Sequence, residues 1–255
     1  MTYQNHKDWE LSALVSADSF FYTLFQNSVP NELNERYNSE LNDTLKEEMA
    51  QMNIVKSKFG VLNNHFSIVS HSEYDSDHLA SFLVDQSGFE SKNKIIRSDI
   101  SEKFDVRVVY SVPRDLIKSI NEQLSNPSLC HIVTALLDGV EYENRGKAQM
   151  DICFVKDQMI LILSSDNQLQ LANVYEISDP SSAIYFISLI CNQQEFASED
   201  IPIFLSGDIK QGDDRFRLIS NYFSAATFRN HEMLKAMNTE DSQRFFPLIC
   251  ISQCA

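Results

Sequence analysis

Short hydrophobic runs separated by polar turns recur along the chain and predict β-strands. Near the start, the apolar run 11–15 and the aromatic run 20–25 flank a polar turn at Ala17 and Asp18, which predicts a hairpin. Hydrophobic residues then recur every three or four positions from Leu41 to Met52, which predicts a helix with one buried face. The first half therefore begins with a hairpin followed by a helix.

The remainder of the first half alternates between strand and helix patterns. Residues 59–69 contain two strand candidates, and residues 105–110 alternate as a strand does. Pro113 suits the first turn of a helix, because its missing N–H would have no partner there. Residues 129–133 predict a further strand, followed by a short helix that ends at Gly139.

The second half shows a clearer version of the same order. Three apolar runs joined by short polar turns predict a meander, and helices and strands then alternate. The predicted elements are strands at 150–155, 159–163 and 169–177, a helix capped by Asp179 with Pro180 behind it, a strand at 201–205, a helix from Asp213, a strand at 226–228 and an apolar segment at 245–251.

A meander that leads into alternating helices and strands predicts an α/β fold with mixed sheets and helices packed on them. Because the two halves repeat this order, we expect two lobes, residues 1–145 and 146–255. The polar stretch 141–147 supplies the boundary, and the last helix is a candidate to pack back on the first lobe.

Charge and hydropathy exclude several classes of partner. The chain has 36 acidic and 21 basic residues, and its net charge of −15 opposes binding to nucleic acids and to anionic membranes. No apolar run approaches the roughly 18 residues that a transmembrane helix needs. The first eight residues lack the apolar core of a secretion signal, so we expect a cytoplasmic protein.

Several short phrases in the sequence support a family resemblance. They are Val109-Tyr110-Ser111-Val112-Pro113, Asn173-Val174-Tyr175-Glu176, Ile203-Phe204-Leu205-Ser206-Gly207-Asp208-Ile209 and Phe245-Phe246-Pro247. With the order of elements, they resemble a bacterial family, domain of unknown function 3822. That family is similar to the actin-like ATPase superfamily, which is built from two ribonuclease-H-like lobes. The resemblance implies a fold and does not by itself imply an activity.

The resemblance also indicates where a nucleotide site would lie. Active actin-like ATPases hold phosphates between two hairpin turns of the type Asp-x-Gly, with paired glycines near the adenosine. Here the turns keep Asp18 and Asp157 without a glycine, and only Ser206-Gly207 remains of the third motif. The resemblance therefore implies a degenerate site at these four residues. The plain alternative is that both aspartates are ordinary turn residues and that Gly207 serves a turn with positive φ.

Other candidate chemistry is weaker. Residues 71–78 hold histidines and carboxylates, but their spacing fits a helix cap better than a metal loop, and no metal site or catalytic residue is predicted. The basic cluster of Lys92, Lys94 and Arg97 is interpreted as solvated loop charges. The five cysteines occur in apolar segments, which favours reduced, packed thiols.

These observations favour a non-catalytic adaptor that binds another cytoplasmic protein and needs no cofactor. The acidic exterior would favour a basic partner. The alternative is an ATP-dependent enzyme with Mg²⁺ near Asp18 and Asp157. A third hypothesis is a small-molecule or peptide binder that uses the cleft between the lobes.

Overall fold

The computed structural model describes residues 8–49, 52–84, 92–140, 148–197, 201–235, 237 and 241–254. The strands are β1 (Asp8–Val15), β2 (Ser19–Gln26), β3 (Val29–Pro30), β4 (Asn34–Tyr37), β5 (Asn53–Val61), β6 (Phe66–Ser70), β7 (Lys94–Ser101), β8 (Val106–Pro113), β9 (Ser128–His131), β10 (Gln149–Val155), β11 (Gln158–Ser165), β12 (Gln168–Glu176), β13 (Ile203–Gly207) and β14 (Ala226–Phe228). The helices are α1 (Leu41–Asp43, flanked by the helical turns Asn38–Glu40 and Thr44–Glu48), α2 (Ser81–Val84), α3 (Arg114–Gln123), α4 (Ile132–Gly139), α5 (Pro180–Gln193), α6 (Asp214–Tyr222), α7 (Glu232–Lys235) and α8 (Phe246–Gln253).

The described residues form two compact units. The first unit contains the residues up to Gly139 together with those from Leu248 onward, and the second unit spans Val140–Pro247. The boundary predicted between residues 145 and 146 lies outside the described residues.

The first unit is built on a six-stranded sheet with the order β3-β2-β1-β5-β9, in which β4 also pairs with β2. The hairpin strands β1 and β2 are antiparallel, whereas β5 runs parallel to β1 and β9 runs parallel to β5. Leu11, Ala13 and Val15 alternate along β1 and face one side of the sheet. That side packs against hydrophobic residues of the α1 region and against Ile120 of α3.

The opposite side of this sheet carries α8. Ser12 Oγ donates a hydrogen bond of 2.7 Å to the Leu248 carbonyl oxygen. A Cβ atom at Gly60 would lie 2.4 Å from Ile251 Cδ1, so the absence of a side chain on β5 lets α8 approach the strand. Residues at the two ends of the sequence therefore share one core.

A separate three-stranded antiparallel sheet, with the order β6-β8-β7, belongs to the same unit. Val69, Leu83 and Val109 form a small core that joins this sheet to α2. Strand β7 was not predicted from the sequence. The interpretation of Lys94 and Arg97 as loop charges is wrong, because both residues lie in β7.

The second unit repeats the arrangement of the main sheet. Its five strands have the order β12-β11-β10-β13-β14, with an antiparallel meander β10-β11-β12 and parallel strands β13 and β14 added to β10. Asp179 caps α5 by accepting hydrogen bonds from the backbone amides of Ser181 and Ser182, as its sequence predicts. The expected α/β class with duplicated mixed sheets is therefore confirmed.

All five cysteines are free and buried. Among the helices of the described ranges, none is both long enough and apolar enough to cross a membrane.

Candidate functional site

The turn between β1 and β2 carries Asp18, whose side chain is exposed. The backbone amide of Asn38 donates to the Asp18 carbonyl oxygen at 2.9 Å. The side-chain Nδ2 of Asn38 donates to the Ser16 carbonyl oxygen at 2.8 Å. Two backbone carbonyls of this turn are thus bound by one residue of the same chain.

The turn between β10 and β11 carries Asp157, which is also exposed. The residue before it, Lys156, has φ +51°, in the left-handed region that glycine adopts most easily. The carbonyl oxygen of Asp157 accepts a 2.7 Å hydrogen bond from the Ile177 amide. The carbonyl oxygen of Lys156 accepts from Nη2 of Arg215 at 3.4 Å. This turn too is held by donors from its own unit.

Ser206 and Gly207 end strand β13 beside β10. Gly207 has φ +78°, and a Cβ atom there would lie 2.1 Å from the Phe154 carbonyl oxygen. The Ser206 hydroxyl is buried and donates to the Ile152 carbonyl oxygen at 3.4 Å. Glycine is therefore required at position 207 by both the backbone conformation and the approach of the two strands.

The side chain of Arg215 on α6 connects the turn at Asp157 with the end of β13. Its Nη1 donates to the Asp208 carbonyl oxygen at 3.2 Å, and its guanidinium lies 4.7 Å from the centre of the Phe154 ring. The structure thus brings Asp157, Ser206 and Gly207 to one end of β10 and β13 in the second unit. Asp18 belongs to the first unit.

The histidine and carboxylate cluster at residues 71–78 forms a helix cap. Asp75 accepts a hydrogen bond from the Asp77 amide at 2.9 Å, and its other carboxylate oxygen lies 2.7 Å from Nδ1 of His78. The hydrogen bond with His78, followed by that from the Asp77 amide, lowers the pKa of Asp75. Asp75 and His78 thus lie in the helix cap that the sequence predicts.

A cavity of about 360 Å³ lies in the first unit, at a place that the sequence analysis did not identify. Residues 97–100 of β7 form one wall, and residues 127–129 at the start of β9 form another. Ile117 and Ile120 of α3 supply apolar surface. Arg97 of β7 and Arg107 of β8 supply two positive charges. The volume lies at the lower end of the range of roughly 300–1,000 Å³ that is typical of ligand sites.

Asp99 is the carboxylate of this cavity and is held by three donors. It accepts hydrogen bonds from the His131 amide at 2.6 Å, the Tyr110 hydroxyl at 3.1 Å and the Thr134 hydroxyl at 3.3 Å. Burial raises the pKa of Asp99 to about 6, although these donors and the nearby charge of Arg97 favour the ionised form. The carboxylate therefore titrates closer to neutrality than an exposed aspartate does.

Behind Asp99, the imidazole of His131 is fully buried. Its ring lies 4.7 Å from the Phe66 ring and 5.1 Å from the Tyr110 ring, between ring centres. Burial lowers the pKa of His131 to about 3, so the ring is neutral at physiological pH. Its Nε2 lies 3.3 Å from the Asn63 carbonyl oxygen. The ring is thus a packed core residue that supports the Asp99 side of the cavity.

The thiols of Cys130 and Cys254 contact each other at the edge of the cavity, and Cys254 lines the cavity. A hydrogen bond between Cys130 and Cys254 raises the pKa of Cys130 and lowers that of Cys254. Burial lowers the pKa of the neighbouring Lys58. The burial of these cysteines agrees with their predicted packing role. The contact between Cys254, which follows α8, and Cys130 of β9 could not be predicted from their spacing in the sequence.

Comparison with known proteins places the chain in a family. The sequence model described as protein of unknown function DUF3822 matches residues 1–225. No curated protein matches the sequence significantly. A protein from Bacteroides thetaiotaomicron VPI-5482 with an actin-like ATPase fold and unknown function has a similar structure, with a TM-score of 0.77 and 16% identity, over 96% of this chain and 98% of that chain.

Two further solved structures have the same kind of fold. The PilM-PilN type IV pilus biogenesis complex aligns with a TM-score of 0.61 and 12% identity, over 96% of this chain and 97% of that chain. The ethanolamine utilization protein EutJ from Carboxydothermus hydrogenoformans aligns with a TM-score of 0.50 and 6% identity, over 96% and 90%. At such identities the likeness shows the fold alone. The chain therefore belongs to the DUF3822 family and has an actin-like ATPase fold.

Proposed function

We propose that this protein is a non-catalytic adaptor that binds another protein and does not hydrolyse ATP. The observation that carries the proposal is the same in both turns: neither turn contains a glycine, and hydrogen bonds from the chain itself to backbone carbonyls hold each turn in place. Asn38 binds the carbonyls of Ser16 and Asp18, and Arg215 binds the carbonyl of Lys156.

Turns without glycine are poorly suited to the phosphates of a magnesium nucleotide. A phosphate is held by backbone amides that approach it closely, which glycine permits and a side chain hinders. The first turn, residues 16–19, keeps Asp18 but has no glycine. At the second turn, Lys156 adopts a left-handed backbone conformation that glycine would adopt more easily, and it carries a side chain there.

A protein partner is supported by fold and charge. A solved structure of the same fold is a complex of two proteins, PilM and PilN. The net charge of −15 favours association with a basic protein surface, because complementary potentials raise the rate of encounter. The partner would be met in the cytoplasm, the compartment expected from the sequence.

A thermal unfolding scan with Mg-ATP and Mg-ADP tests the enzymatic alternative. A ligand at 100 times its dissociation constant adds about 2.7 kcal/mol of stability, which corresponds to a shift in Tm on the order of 5–10 °C. We expect no concentration-dependent shift, while an ATP-binding actin-like protein scanned beside it shifts. A saturable shift with nucleotide would contradict the proposal.

Affinity capture from a lysate of the source organism, followed by mass spectrometry, tests the adaptor role. We expect one protein to be recovered in near-stoichiometric amount, equally with and without Mg-ATP. Recovery that requires nucleotide, or recovery of nucleotide without any protein, would favour the ATP-binding alternative.

A further inference from the structure

We propose that the cavity of the first unit binds an extended acidic peptide segment of the partner, which adds as a strand beside β7. The proposal rests on the adaptor function proposed above and names the part of the molecule that performs it. It rests on the walls of the cavity, their charges and the edge of β7 with which no strand of the described residues pairs.

The cavity follows the edge of β7 and does not lie over one of its faces. Successive side chains of a strand point to opposite faces of its sheet. Arg97, Ser98, Asp99 and Ile100 are consecutive, and all four line the cavity. An opening along the strand edge accounts for contact with four consecutive residues. In the sheet formed by described residues, β8 pairs with one edge of β7, so we infer that the cavity follows the other edge.

The facing wall offers a second strand edge and an apolar surface. Among the strands that the structure describes, β9 is also terminal in its sheet, where it pairs with β5, and residues 127–129 line the cavity. Ile117 and Ile120 of α3 contribute hydrophobic side chains. An extended peptide could form main-chain hydrogen bonds with a strand edge and place alternate side chains against this apolar surface, as in strand addition.

The charges of the cavity select an acidic segment. Arg97 is exposed, and Arg107 is half-buried with its guanidinium 4.2 Å from the centre of the Tyr74 ring. The Nε atom of Arg107 is buried and has no hydrogen-bond acceptor among the described residues, so an entering carboxylate would pair with the terminal nitrogens of the guanidinium and not with Nε. Asp99, the carboxylate lining the cavity, already accepts three hydrogen bonds.

The negative charge of the whole chain does not prevent this recognition. At physiological ionic strength the Debye length is about 8 Å, so distant surface charges are largely screened, and within the cavity the two arginines outnumber the single carboxylate of Asp99. The overall charge can steer a basic partner towards the protein while an acidic segment of that partner enters the cavity. A small dicarboxylate could pair with the arginines, but only a peptide can also pair with the edge of β7.

Selection of a displayed random heptapeptide library on the folded full-length chain tests the proposal. We expect the enriched peptides to contain Asp or Glu. Synthetic copies should bind the Arg97→Gln variant at least about tenfold more weakly than the wild-type chain. Arg217→Gln, an exposed arginine on α6 in the second unit, should leave the affinity unchanged. Glutarate serves as the small-anion probe and should not compete.

Backbone methylation of the selected peptide tests strand addition itself. Amides of an added strand point alternately towards and away from the sheet, so N-methylation should abolish binding at every second position and leave the others nearly unaffected. The proposal would be overturned if the peptides bound Arg97→Gln as tightly as the wild-type chain, or if glutarate competed with them. It would also be overturned if the selection enriched no peptides, or only neutral or basic ones. If the captured partner binds Arg97→Gln normally, the adaptor function stands and this site is wrong; a nucleotide-dependent Tm shift would instead refute the function.

Discussion

At Gly207, strand β13 approaches β10 so closely that a methyl group would collide with the Phe154 carbonyl oxygen. We expect Gly207→Ala to lower the free energy of unfolding by about 3 kcal/mol or more, because the substitution adds a steric clash to an unfavourable positive φ. Urea-induced unfolding monitored by circular dichroism measures the loss.

Gly212 provides the matched control. It also has positive φ, +85°, but a Cβ atom there would meet no atom within 4 Å. Gly212→Ala should therefore cost only the conformational strain, about 1–2 kcal/mol. Equal losses in the two variants would mean that the contact between the strands is not what requires glycine at position 207.

Asp99 and His131 affect stability in opposite directions as pH changes. The folded pKa of Asp99, about 6, is higher than the usual value of about 3.9. Its stabilising contribution to the free energy of unfolding is therefore present at low pH and is lost as pH rises through 6. The folded pKa of His131, about 3, is below the usual value of about 6.5. The stabilising contribution of His131 to the free energy of unfolding is present above pH 6.5 and is lost as pH falls. Between pH 4 and 6 the two largely offset each other.

Asp99→Asn should separate these two effects. With the carboxylate removed, we expect the free energy of unfolding to fall more steeply between pH 7 and pH 4 than it does in the wild-type chain, because the His131 effect is no longer opposed. The exposed Asp105→Asn serves as the control and should follow the wild-type curve. Urea titrations at several pH values would disprove the account if the Asp99→Asn curve ran parallel to the wild-type curve.

At the scale of elements, a buried ion pair joins β10 to the residue that follows β14. The guanidinium of Arg229 bonds Asp151, and the two side chains are 1% and 9% exposed. Gln149 Nε2 donates to the other Asp151 oxygen at 2.9 Å, and the Arg229 guanidinium lies 3.9 Å from the centre of the Phe204 ring. The pair thus spans three strands of the second sheet.

We expect Asp151→Asn to lower the free energy of unfolding by about 3–5 kcal/mol, because it leaves the charge of Arg229 buried and uncompensated. The double variant Asp151→Leu/Arg229→Met should recover much of that loss, since neither charge remains. Chemical denaturation of the single and double variants measures both values. If the loss in the double variant equalled the sum of the losses in Asp151→Leu and Arg229→Met alone, the ion pair would not be the source of the effect.

The elements that could be predicted from the sequence were those with a strong apolar pattern. Strands β10 and β11 are almost wholly buried, so their hydrophobic runs are long and their polar turns are distinct. Strand β7 contains Lys94 and the exposed Arg97, because an edge strand can place charged side chains at the surface, and its pattern therefore resembled a loop.

The cavity could not be predicted for a related reason. Its walls come from the successive elements β7, β8, α3, β9 and α4 together with the distant Cys254, and no local motif marks any of them. Asp18 and Asp157, by contrast, were found through the family resemblance, and the hydrogen bonds of Asn38 and Arg215 with their turns were not visible in the sequence. Pairings between distant residues depend on the three-dimensional fold, which short-range patterns do not encode.

At the scale of the whole molecule, the core of the first unit depends on residues from Leu248 onward. Ile251 packs on Gly60, and we expect Ile251→Ala to cost about 2–4 kcal/mol through the cavity that it leaves. Hydrogen exchange should show the largest loss of protection in β1 and β5. Loss of protection confined to β10 and β11 would contradict this account of the core.

This interleaved chain path has a consequence for synthesis on the ribosome. The first unit starts first, yet it cannot close its core until the segment beyond the second unit has emerged. The second unit is contiguous, so it is the one that can finish folding while translation continues. Until then, the sheet face that α8 later covers stays open, and a nascent chain at this stage is the form most in need of a chaperone.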